Sequence, residues 1–148
     1  MLFRSNHTQA ITCVRFSPDG TAVLTASRDA TAVLQGRDGS VQQRFQGSQP
    51  MQQAAFSLDG VHVLTGGVGS NAEAQLWRVA DATEALHFRG HRGTVHGLAF
   101  ASDSLLVATS AADGTTCLWP TDPVAVARRL LLRNLTDEER KEIGRAHV

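Results

Sequence analysis

Short apolar runs and polar turns alternate along the chain in one order, three times over. The first round is Ile11–Phe16, the turn Ser17-Pro18-Asp19-Gly20, Ala22–Ser27, the pair Arg28-Asp29, then Thr31–Gln35. The second is Met51–Phe56, Ser57-Leu58-Asp59-Gly60, Val61–Gly66, a longer Gly-rich loop, then Glu73–Val79. The third is Thr94–Phe100, Ser102-Asp103-Ser104, Leu105–Ser110, Ala112-Asp113-Gly114, then Thr115–Trp119. Runs this short, bounded by Asp, Gly and Ser, predict strands of an antiparallel meander. Outer strands fit at Ser40–Gln46, Thr83–Arg89 and Val124–Leu132, and another at Leu2–Ser5 ahead of His7.

The repeat has a stable period. Leu34, Leu76 and Leu118 recur at 42-residue intervals, and Phe16, Phe56 and Phe100 at intervals of 40 and 44. A period of about 40–45 residues with four strands suits the blades of a propeller. Gly90-His91 stands before the first strand of the third round and Leu118-Trp119 closes it. On these residues Gly90–Trp119 resembles a repeat of the WD-repeat β-propeller family, with Pro120 where the family's final Asp stands.

The resemblance implies an all-β fold, a partial β-propeller of three four-stranded antiparallel blades. It also implies a buried hydrogen-bond chain of His91, Thr109, Asp113 and Trp119. The chemistry suits the roles. An indole N–H only donates, a hydroxyl and an imidazole do both, and a carboxylate only accepts. Upstream copies are incomplete. The first has His7, Thr25 and Asp29, with Gln35 in place of Trp. The second has Thr65 and Trp77, with Ser48 in place of His and Asn71 nearest the Asp position.

Residues 1–132 thus form a propeller arc, with blades over about 7–47, 48–90 and 91–132, and residues 133–148 form a tail. In the tail, Thr136 and Glu139 make a capping box and Gly144 a stop, which predicts a short C-terminal helix over Thr136–Ile143. The run Arg133–Arg140 resembles tails that follow the last repeat of bacterial multi-repeat WD proteins. That resemblance implies a sensor or regulatory end of a signalling protein carrying an NTPase, protease-like or kinase effector. Propellers have about 4–8 blades, so three do not close a ring. The expectation is the arc of a longer propeller or a shortened gene. Its open faces favour self-association, for instance two arcs in a six-bladed ring, or a partner chain.

Composition narrows the function. The 148 residues carry 14 basic and 14 acidic side chains, and 42% are hydrophobic. A neutral balance argues against a nucleic-acid or membrane-surface partner. The N-terminus lacks the apolar core of a signal peptide and no run is long enough to span a bilayer, so the expected location is cytoplasmic. Cys13 and Cys117 lie within apolar strands and suit buried packing. A hydrolase triad of His91, Asp113 and Thr109 or Ser110 is the weaker reading beside a structural network. His91 and His96 lack further ligands for a metal. Gly66, Gly67 and Gly69 are followed by no Lys-Ser/Thr, so they read as a hairpin turn, not a phosphate loop. Arg128, Arg129 and Arg133 suit a solvated face. No enzyme, cofactor or metal is expected. The resemblance implies a protein-interaction scaffold that binds a protein or peptide at the channel rim, where Arg28, Arg92, Gln9 and Thr94 fall.

Overall fold

The computed structural model describes residues 6–134. Eleven strands and one helix follow one another: β1 (Ile11–Phe16), β2 (Ala22–Ser27), β3 (Thr31–Gly36), β4 (Val41–Gln46), β5 (Met51–Phe56), β6 (His62–Gly67), β7 (Ala74–Arg78), β8 (Glu84–Phe88), β9 (Val95–Phe100), β10 (Leu106–Ala111), β11 (Thr116–Pro120) and α1 (Pro123–Asn134). They form three sheets in which each strand pairs antiparallel with its sequence neighbour: β1-β2-β3-β4, β5-β6-β7-β8 and β9-β10-β11.

Turn chemistry sets the hairpins. Ser17 donates its hydroxyl to Asp19 at 2.6 Å, and Asp19 accepts the Thr21 N–H at 3.0 Å. Ser57 and Asp59 repeat this between β5 and β6. Gly20 and Gly60 each hold φ at 71°, the left-handed region that closes such turns. In the third blade Ser104 takes that position with φ at 56°.

The sheets pack face to face through alternate side chains. Leu24, Leu34 and Phe45 of the first blade bury against Met51, Ala54, Val63 and Trp77 of the second. Leu64, Leu76 and Phe88 of the second bury against Val107, Leu98, Phe100 and Trp119 of the third. At each interface an outer-strand Phe meets the next blade's Trp. Phe45 and Trp77 lie 6.0 Å apart at 58°, and Phe88 and Trp119 5.4 Å apart at 26°. Aromatic pairs in this range add about 0.5–1.5 kcal/mol beyond burial. Polar links also bind neighbouring blades. Thr12 donates its hydroxyl to the Met51 carbonyl at 2.8 Å, and the Gly69 N–H donates to Thr94 Oγ1 at 3.1 Å.

The third blade departs from expectation. Val124–Leu132 is no outer strand but lies within helix α1, so this sheet has three strands among the described residues. The cause is local. Asp122 accepts the N–H groups of Val124 and Ala125 on one carboxylate oxygen, at 3.0 and 2.9 Å. That is an N-cap, and Pro123 follows at the first helical position, which needs no donor. Val126 and Leu130, one turn apart, then line a shared cleft with Leu105 and Leu106, and Arg129 pairs with Asp103. The helix expected over Thr136–Ile143 and the strand expected over Leu2–Ser5 lie outside the described residues.

Candidate functional site

The loops before each first strand and after each second strand meet at one end of the blades. In the third blade they bring together all four residues implied by the motif. Trp119 donates its indole N–H to Thr109 Oγ1 at 2.8 Å. Thr109 Oγ1 lies 2.7 Å from His91 Nε2. His91 Nδ1 lies 2.9 Å from Thr115 Oγ1 and 3.5 Å from Asp113 Oδ2. Thr115 spends its one hydroxyl proton on Asp113 Oδ1, at 2.6 Å. A carboxylate cannot donate, so the proton between His91 and this pair is carried on Nδ1. With the proton on Nδ1, Nε2 can accept from Thr109, which accepts from Trp119. Every member has a partner.

Asp113 also anchors the loop. It accepts the Arg92 N–H at 2.6 Å and the Thr115 N–H at 2.9 Å. The Thr115 hydroxyl, then these two N–H groups, hold its carboxyl well below the usual carboxylate range.

The first blade keeps the pattern except at its end. His7 Nδ1 lies 3.1 Å from Asp29 Oδ2 and 2.9 Å from Thr31 Oγ1, and His7 Nε2 lies 2.9 Å from Thr25 Oγ1. Burial pushes the Asp29 carboxyl up. The Thr31 hydroxyl, the N–H groups of Thr8 and Thr31, and His7 outweigh this and hold it well below its ordinary value. Gln35, in the tryptophan position, is buried, and its side-chain nitrogen has no partner among the described residues.

The second blade keeps only the far end, where Trp77 donates to Thr65 Oγ1 at 2.9 Å. Ser48 reaches Glu73 instead, at 3.3 Å. Glu73 also accepts from Arg89 Nε at 2.8 Å and faces His87 Nε2, while His87 Nδ1 faces Glu84 at 3.0 Å. Sequence reasoning missed Thr31 and Thr115, although each lies two residues after its Asp, the spacing of an Asx turn. The Glu73–His87–Arg89 cluster has no motif; its members meet only because β7 and β8 pair.

Arg28, ahead of Asp29 in the first blade, and Arg92, after His91 in the third, both stand exposed at the loop end. The Arg28 N–H donates to the Ala10 carbonyl at 3.0 Å, as the Arg92 N–H does to Asp113, so both backbones are fixed. Gln9 is exposed beside Arg28, and its carbonyl accepts from Ser27. Thr94 differs: its hydroxyl is taken by Gly69 of the neighbouring blade.

Thr109 is buried, with its hydroxyl committed at both ends. His91 is buried and His96 exposed, and among the described residues no group of three or more His, Cys, Asp or Glu could hold a metal. Cys13 and Cys117 are both free and sit on different sheets. Gly66 permits close approach: a Cβ there would stand 2.8 Å from Val95 Cγ1. The Gly67 N–H donates to the Glu73 carbonyl across the hairpin. Arg128 is exposed and Arg129 is held by Asp103. A cleft of about 470 Å³ between the first two blades opens at their opposite end, bordered by Asp19, Asp59, Leu34, Phe56 and Val79. Both carboxylates there are spent on their own turns. The Ser17 hydroxyl heads the groups that lower Asp19 to about 2.

The sequence profile of the WD domain, G-beta repeat, matches residues 2–34 and 83–120. Mouse transducin beta-like protein 2 is 27% identical over 128 residues, which cover 81% of this chain and 29% of that protein. Bovine transducin beta-like protein 3 is 32% identical over 112 residues, 74% of this chain and 14% of that protein. Eukaryotic translation initiation factor 3 subunit I of Caenorhabditis elegans is 27% identical over 124 residues, 74% and 38%. The chain therefore spans well under half the length of these relatives. All three are animal proteins, and none supports the bacterial reading of the tail. Among solved structures, the WD40 repeats of RRP9 superpose with a TM-score of 0.72 at 23% identity, over 80% of this chain and 37% of that one. The structure titled U3-55K does so equally, with 38% of its chain covered. Likeness at this identity establishes the fold.

Proposed function

This chain belongs to the WD-repeat β-propeller family, and from that premise we propose that it is a non-catalytic scaffold that binds a protein or peptide at the rim. The observation that carries this reading is the pair Arg28 and Arg92. Both side chains are exposed, while the backbone of each is tied to the loop network beneath it. Two exposed guanidinium groups suit an acidic partner, since a guanidinium binds a carboxylate through two parallel hydrogen bonds. A backbone already held in place lowers the entropy lost on binding. Gln9 adds an exposed amide beside Arg28. Thr94 contributes to the frame, not the contact.

The arc also offers its two ends for association. Phe16 on β1 is 69% exposed and Leu118 on β11 is 68% exposed. We take self-association through these ends as a second property of the chain.

The experiment is capture of partners by the full chain and by Arg28→Ala, Arg92→Ala and the double variant, with circular dichroism as the folding control. The double variant is expected to keep the wild-type spectrum and melting temperature and to lose partners whose binding is salt-sensitive. Unchanged capture removes the rim from the reading.

A further inference from the structure

The cleft between the first two blades lies at the end of the sheets away from Arg28 and Arg92. Both of its walls belong to four-stranded sheets. The turn Ser17–Gly20 borders it from the first blade and the turn Ser57–Gly60 from the second. The two turns lie close, since a Cβ on Gly60 would stand 3.8 Å from Pro18 Cδ. Leu34, Phe56 and Val79 give the cleft an apolar floor, and Leu58, 65% exposed, gives it an apolar lip.

Charge at this end is mostly negative. All five turns here carry an aspartate: Asp19, Asp38, Asp59, Asp81 and Asp103. Arg78 pairs with Asp81 at 3.4 Å, and Arg129 pairs with Asp103. Asp19 and Asp59, which border the cleft, make no ion pair among the described residues, and no described basic side chain lines it. His62 acts on Asp59 but does not border the cleft.

Each turn engages one oxygen of its carboxylate. Oδ1 of Asp19 accepts the Ser17 and Thr21 hydroxyls and the Thr21 N–H. Oδ1 of Asp59 accepts the Ser57 hydroxyl and the Val61 N–H. Oδ2 of each is uncommitted among the described residues. The same hydrogen bonds, those of the serine hydroxyls first, hold Asp19 at about 2 and Asp59 below its ordinary value. Both groups are therefore ionised and held in place at neutral pH.

This combination selects its occupant. A bare cation leaves the apolar floor unfilled. A purely apolar ligand strips water from two carboxylates and returns no partner. An acidic segment or a nucleic acid meets like charge. In an extended chain, residues two apart share a face. A segment with an apolar side chain between two such cationic ones covers the floor and reaches both blades. A cleft of about 470 Å³ is of a size that takes such a ligand.

We propose that this cleft is a docking site, separate from the Arg28 and Arg92 rim, for an extended peptide segment of a partner protein that carries a leucine-like residue between two arginines or lysines. The apolar residue packs on Leu34, Phe56 and Val79, and the flanking cations pair with Asp19 and Asp59. The arc then holds partners of opposite charge at its two ends.

The probe is the acetylated, amidated peptide Arg-Gly-Leu-Gly-Arg, titrated into the isotope-labelled full chain and read by amide chemical shifts. Shifts are expected in the turns Ser17–Thr21 and Ser57–Val61, and they should shrink as salt is added. Asp19→Asn with Asp59→Asn keeps an acceptor for each turn and removes the charge. It is expected to weaken binding about tenfold or more, the loss of a charge-assisted hydrogen bond. Leu58→Ser alters an exposed side chain, keeps the fold, and should also weaken binding. Arg28→Ala with Arg92→Ala should leave it unchanged, which separates this site from the rim. Ser-Gly-Leu-Gly-Ser and spermine present the apolar and cationic halves alone, and each should bind about tenfold more weakly or worse. Spermine binding as tightly as the peptide, or shifts spread evenly over the turns of Asp38 and Asp81, would mean diffuse attraction of cations and overturn the proposal. Binding that survives both the double Asn variant and Leu58→Ser, or no shift at millimolar peptide, overturns it as well.

Discussion

Trp119 donates its indole N–H to Thr109 at 2.8 Å, and the same hydroxyl sits 2.7 Å from His91. One buried oxygen thus joins the last strand of the blade to the loop before its first. Removing either neighbour strands a polar atom in a dry place. His91→Ala is expected to cost about 1–3 kcal/mol, the penalty of orphaning a buried group. Trp119→Phe keeps the stack on Phe88 and loses only the donor, so it should cost about 0.5–1.5 kcal/mol. Urea denaturation measures both, and equal losses would refute the chain of roles.

Gln35 is the counterpart of Trp119 in the first blade, buried with its amide nitrogen unpaired among the described residues. Gln35→Met keeps the length of the side chain and removes the amide. It is expected to stabilise the chain by about 1 kcal/mol, the low end of the desolvation penalty. A drop in melting temperature would mean that the amide is satisfied.

Ala30 follows Asp29 as Gly114 follows Asp113, yet φ is 66° at the alanine and 78° at the glycine. The left-handed region costs a residue with a Cβ about 1–2 kcal/mol, partly offset by the greater freedom of an unfolded glycine. Ala30→Gly is therefore expected to raise stability by up to about 1 kcal/mol, while Gly114→Ala lowers it. Paired thermal melts of the two variants test the sign.

Acid should loosen the loop end of the blades. Asp29 and Asp113 are held below the ordinary carboxylate pKa, so in acid the unfolded chain binds protons that the folded chain refuses. Stability from these groups is complete above about pH 5 and is lost as pH falls toward their folded values. Melting temperature is expected to drop between pH 5 and pH 2, and less steeply in Asp29→Asn. A flat profile would contradict the depressed values.

What the sequence by itself determined is local and periodic. Runs such as Ile11–Phe16 and turns such as Ser17–Gly20 act over a few residues, and a 42-residue recurrence of Leu34, Leu76 and Leu118 places equivalent side chains at equivalent depths. The partners of His91 were legible for the same reason, although Thr115 was overlooked. Val124–Leu132 was misjudged because an apolar run suits a strand or a helix equally, and the decision rests on the Asp122 cap and Pro123. Tertiary structure alone decided which equivalent positions differ. Leu76 is buried and Leu118 exposed because burial belongs to the neighbouring blade, not to the residue. The Glu73–His87 contact arises likewise from strand pairing between side chains that no spacing rule connects.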